Sequence, residues 1–159
     1  MKSLWHAAAM VAVALAFSGQ GRAQNDNHLG GLIHHYADAP ASDPWHLSGQ
    51  WSARLEGESG NADFTAAISM VKSDNPSRQP HTHHITLTGG HVTSIPNGIR
   101  IAGMATVTGN GSLSFTDPLT VEITGGSAVT YSNITVAFSS PAGIGHFGTA
   151  PLRGVVWSE

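Results

Sequence analysis

The side chains best suited to chemistry are the imidazoles of His81-Thr82-His83-His84, at the head of the alternating run Ile85-Thr86-Leu87-Thr88. Side chains repeat on one face of a strand with a period of two, so His81 and His83 share a face and His84 points away. That odd-numbered face continues into Ile85 and Leu87, which makes it the buried one. Two neighbouring imidazoles on such a face suit either a metal site or an acid-base pair, because a buried imidazole needs partners for its nitrogens.

A metal site needs three or four donors, so a third must come from elsewhere in the chain. His146, inside Gly143-Ile144-Gly145-His146-Phe147-Gly148, is the preferred candidate, since flanking glycines allow a loop to bring a side chain close to a pocket. Asp63, Glu56, His91 and His84 stand in reserve. The predicted metal ligands are therefore His81, His83 and His146. A nitrogen-only set suits zinc, copper or iron, whereas calcium and magnesium prefer oxygen.

With an open coordination position such an ion activates water or a substrate oxygen. Without an ion, His81 and His83 serve as the predicted catalytic base and acid, as in an isomerase, cyclase or lyase acting on a small molecule. A third reading is a noncatalytic carrier of a small hydrophobic ligand or a metal. His34-His35, near His28 and His46, is read as polar surface outside the site.

The elements that position these residues follow from the pattern of the chain. Lys2 and the apolar stretch Leu4 to Phe17, followed by small residues up to Ala23, predict an export signal over residues 1–23. The expected location is secreted or periplasmic. Residues 24–46, rich in Gly, Ala, Asp and His, are expected to form an irregular N-terminal arm, and residues 47–159 the folded domain.

Short segments of period-two alternation begin at Leu47. Trp51, Ala53 and Leu55 mark one strand and Phe64, Ala66, Ile68 and Met70 another, with the loop Ser73 to Pro80 before the histidine strand. Gly89-Gly90 reads as a two-residue hairpin turn. Later strands are expected at residues 99–108, 112–116, 119–124, 128–138 and 152–157, with turns at Gly109-Asn110-Gly111, Asp117-Pro118 and Gly125-Gly126. About eight hairpin-linked strands and no amphipathic helix predict an all-β fold, a small antiparallel up-and-down β-barrel. Trp51 and Trp157 are expected to pack in the barrel or close one end of it, and Tyr131 is a candidate for orienting a substrate.

Gly49-Gln50-Trp51 resembles the Gly-x-Trp opening of lipocalins and avidins. The resemblance spans those three residues and implies a barrel that holds a small ligand.

Composition narrows the classes further. The chain has no cysteine, which removes disulfides, thiolate nucleophiles and sulfur-ligated metal centres. Dropping Lys2 and Arg22 from seven Lys+Arg leaves five against ten Asp+Glu, a formal charge of −5. Such a balance, without a basic stripe, argues against nucleic acid as a partner. No segment after the signal is long and apolar enough to span a bilayer as a helix. The expected partner is a small-molecule ligand or substrate, and an oligomer is compatible with the sequence.

Overall fold

The computed structural model describes residues 28–37, 44–56, 60–77, 79–109, 114–125 and 133–157. The expected signal segment, its cleavage point and Tyr131 lie outside them. Eight strands run in chain order as β1 (His28–Ala37), β2 (Trp45–Glu56), β3 (Asn61–Lys72), β4 (His81–Ile95), β5 (Gly98–Gly109), β6 (Ser114–Thr124), β7 (Asn133–Phe138) and β8 (Leu152–Trp157). Each pairs antiparallel with the next, and β8 returns to β1 through Gly30↔Trp157 to Ile33↔Gly154. The sheet is therefore a closed up-and-down barrel without a free edge among these strands.

Alternation decides which side chains face inward. β3 buries Ala62, Phe64, Ala66, Ile68 and Met70 while Thr65 and Ser69 remain exposed. Leu47, Trp51 and Ala53 from β2, Ile85 and Leu87 from β4, and Ile101, Ala105 and Val107 from β5 meet them. Each fully buried Leu, Ile or Phe contributes roughly 1.5–3 kcal/mol. The described interior is thus filled by side chains rather than shaped as a ligand cavity.

Several expectations need correction. The arm predicted as irregular contains β1, whose inward row of Ile33, His35 and Ala37 closes the barrel, and Trp45 and His46 already belong to β2. Gly89-Gly90 is no hairpin: β4 runs through it to Ile95, and the chain turns at Pro96-Asn97, with Asn97 at φ 61°. Between Leu87↔Ala105 and His91↔Ala102, β4 holds one residue more than β5. Gly89, at φ 64°, makes this a β-bulge, the same left-handed conformation that a tight turn would have used. The Asp63 carboxylate accepts the Gly89 N–H at 2.9 Å.

Asp117-Pro118 is likewise not a turn but lies within β6. Pro118 is tolerated because it lies just past Leu119↔Phe138, where the β6–β7 ladder stops. Trp51 is buried and donates from Nε1 to the Val155 carbonyl at 3.1 Å, whereas Trp157 faces outward and is 48% exposed. Finally, a short helix, α1 (Pro141–Phe147), stands between β7 and β8 where no helix was expected. No described helix is long and apolar enough to cross a membrane.

Candidate metal centre

The strand parity read for His81 and His83 places both on the inner side of β4. His83 is buried opposite Ile68 of β3, and His81 stands half-buried opposite Met70. The Nδ1–H of His81 donates to the Gln79 carbonyl at 2.8 Å. Gln79 has a left-handed φ of 54°, uncommon for a residue with a Cβ, and this turn brings its carbonyl under the imidazole. The Nδ1–H of His83 donates to the Thr108 carbonyl at 3.3 Å. Both rings therefore hold their protons on Nδ1 and, when neutral, direct the Nε2 lone pair away from the backbone. Backbone carbonyls commonly orient ligating histidines in this way.

The third imidazole arrives on α1 rather than on a glycine-flanked loop. Ser140 caps the helix by accepting the Gly143 N–H at 3.2 Å, and Pro141 occupies the first turn, where its missing N–H costs nothing. Asp117, fully buried at the base of β6, gathers the helix start. Its carboxylate accepts the N–H groups of Ser139 at 2.8 Å, Ser140 at 3.2 Å and Gly143 at 3.1 Å, and the Ser140 hydroxyl. Burial alone would raise the carboxyl pKa, but these donors outweigh it and hold it below the usual carboxylate range. At the other end of the helix, Phe147 is buried and stacks on Phe138 with centroids 4.3 Å apart. Anchored at both ends, α1 places His146 Nε2 at 2.7 Å from His83 Nε2.

Because the His83 Nδ1–H is engaged by Thr108, the His146 Nε2–H is the donor and His83 Nε2 the acceptor in that contact. His81, His83 and His146 each present one ring nitrogen, and the three nitrogens lie within 4.8 Å of one another. His81 Nε2 is buried without a hydrogen-bond partner among the described residues. Such an orphaned acceptor beside two other imidazoles is the feature a chelated cation would satisfy. The cluster is positioned to chelate a metal ion.

The electrostatics favour the neutral ligand forms. Burial, then the neighbouring His146 and His81, lowers the His83 pKa to about 4. Burial and His81 also lower that of His146. Trp45 closes the His81 side, its ring edge-on to the imidazole at 4.9 Å, and the Lys72 ammonium lies 3.8 Å above the same indole.

The reserve ligands are elsewhere. His84 and His91 point outward, Asp63 is taken up by the bulge, and Glu56 ends β2 opposite Asn61. The sequence reading missed Asp117, which it placed in a turn, and the inward, buried His35. Ser140-Pro141 was the available signal for α1. No protein-family model, curated protein or solved structure matches this chain.

Proposed function

We propose that the chain is an exported metalloprotein whose three-histidine centre carries out metal-dependent chemistry on a small molecule. The observation that carries this reading is the convergence of His81, His83 and His146 with His81 Nε2 buried and unpartnered. Three nitrogen donors and no thiolate fit zinc best, with copper or iron as the competing occupants. Three protein ligands leave a coordination position for water or a substrate oxygen, and an ion there acts as a Lewis acid that lowers the pKa of bound water. Trp45, edge-on to His81, would border the approach. Export rests on the leading segment through Ala23.

A metal-free acid-base pair finds less support. A histidine with a pKa near 4 is almost wholly deprotonated at neutral pH and is a weak base there. Among carriers, the filled interior favours a metal cargo over a hydrophobic ligand held inside the barrel.

The test is to express the chain with its own leader, purify it without chelator or affinity tag, and measure bound metals by plasma mass spectrometry. About one ion more per chain in the wild type than in His83→Ala supports the centre. Equal metal content in both removes it. Turnover of candidate small molecules that tracks metal loading then separates the enzyme from the carrier.

A further inference from the structure

The outer wall of the barrel holds a second histidine arrangement, independent of the interior one. His34 of β1 and His46 of β2 both point outward, while their neighbours His35 and Ala37 on β1, and Leu47 on β2, point inward. Tyr36 pairs with His46 across the ladder and His34 with Ser48, so the two histidines are diagonal cross-strand neighbours. Their side chains lean together until His46 Nε2 is 3.3 Å from His34 Nδ1. Imidazole nitrogens lie about 2.0–2.1 Å from zinc, so two of them on one tetrahedron are about 3.3–3.4 Å apart. In the metal-free chain one of these nitrogens donates its N–H to the other, and a cation would take that proton's place between two nitrogens spaced like one edge of a coordination tetrahedron.

The rings are also held in place. Tyr36 stacks on His46 with centroids 4.6 Å apart and planes 15° from parallel, and meets His34 edge-on at 5.6 Å. The wall of the barrel separates this pair from the interior imidazoles, so no ligand is shared between the two places.

We propose that His34 and His46 form a surface site for a borderline divalent cation, copper(II) or zinc, distinct from the interior centre. Two protein donors leave the remaining positions to water or an external ligand, which makes this the exchangeable site of the molecule. Zinc takes this tetrahedral spacing directly, whereas copper(II), which leads the affinity order for nitrogen donors and is the probe of choice, draws the two rings somewhat closer into a tetragonal site.

The proposal is tested by titrating copper(II) into the mature chain, without an affinity tag, in a His83→Ala/His146→Ala background, with electron paramagnetic resonance as readout. The expected result is one copper with two-nitrogen hyperfine structure, its affinity falling about tenfold or more when either His34→Ala or His46→Ala is added. Far-UV circular dichroism checks that each variant keeps its sheet. If the background variant does not fold, the same two substitutions in the otherwise wild-type chain should remove one equivalent of bound copper. An unchanged spectrum and stoichiometry in His34→Ala/His46→Ala overturns the proposal, because the copper then sits on other groups. The background isolates this result from the fate of the interior centre.

Discussion

The buried carboxylate of Asp117 fixes the start of the helix whose last turn delivers His146 to His83. Among the described residues neither Asp117 nor Gly143 hydrogen-bonds to the imidazoles, yet together they decide where the third imidazole stands. Asp117→Asn keeps the size of the side chain but loses the charge that accepts four donors. We expect it to cost about 1–3 kcal/mol of stability and to weaken metal binding while His81 and His83 remain in place. Parallel urea melts and zinc titrations check both effects.

Gly143 tests the same relationship by volume. A Cβ there would lie 2.2 Å from Asp117 Oδ2 and 2.7 Å from the Phe138 Cβ. Gly143→Ala should displace α1 at a cost of about 1–3 kcal/mol and lower metal affinity, whereas Gly145→Ala, with nothing within 4 Å of the added carbon, should do neither. Equal metal affinity in the two variants would sever α1 placement from chelation.

Metal binding should stabilise the fold by mass action. At a free concentration one hundred times the Kd, the gain is about 2.7 kcal/mol. Differential scanning calorimetry with and without zinc should show a larger rise in Tm for the wild type than for His81→Ala or His83→Ala. A rise of the same size in all three would place the ion elsewhere.

Acidification should weaken the metal-free barrel. The folded pKa of His83, about 4, and the lowered one of His146 lie below the ordinary value near 6.5. Below pH 6.5 the unfolded chain takes up protons that the folded chain refuses, so stability falls as pH drops from about 6.5 toward 4. The slope is at most about 1.4 kcal/mol per pH unit for each histidine. It ends for His83 once the ring protonates in the folded state, and above 6.5 these two groups contribute no slope. Urea midpoints at pH 7.5, 6 and 5 with chelator present should show this trend, and His83→Gln should flatten it.

The two glycines of the β4 bulge should respond differently to the same substitution. Gly89 is at positive φ with open space around it, so Gly89→Asn, which tolerates that conformation, should change Tm little. A Cβ at Gly90 would lie 2.3 Å from Leu87 Cδ2 and 2.9 Å from Ile101 Cγ2, so Gly90→Asn should destabilise by at least 1–3 kcal/mol, on the order of other overpacked cores. Thermal melts of the two variants side by side make the comparison.

The sequence was most legible where alternation ran unbroken. Phe64 to Met70 and His83 to Leu87 announced their inward faces, and that parity placed His81 and His83 together before any fold was known. β1 was hidden because Gly30-Gly31 and His34-His35 interrupt its apolar rhythm, and because Leu32 and Tyr36 are large hydrophobic residues on the outside. Positive φ at Gly89 serves a bulge as well as a turn, and local sequence does not distinguish them. α1 is seven residues with two glycines, too short for helical periodicity, so its anchoring contacts to Asp117 and Phe138 determine it rather than its own propensity. His146 does stand beside His83, but a capped helix brings it there rather than the supple loop its flanking glycines suggested.

Closing the barrel through β1 and β8 also sets an order of events. Gly30 meets Trp157 only after nearly the whole described chain has been made, and His146 follows His83 by 63 positions. Contacts so distant along the chain form late and slowly. A nascent chain therefore has no finished centre to load during synthesis, and if the chain is exported unfolded, as proposed, an ion would be acquired on the far side of the membrane. The metal supply of that compartment, as well as the donor set, would then select the occupant.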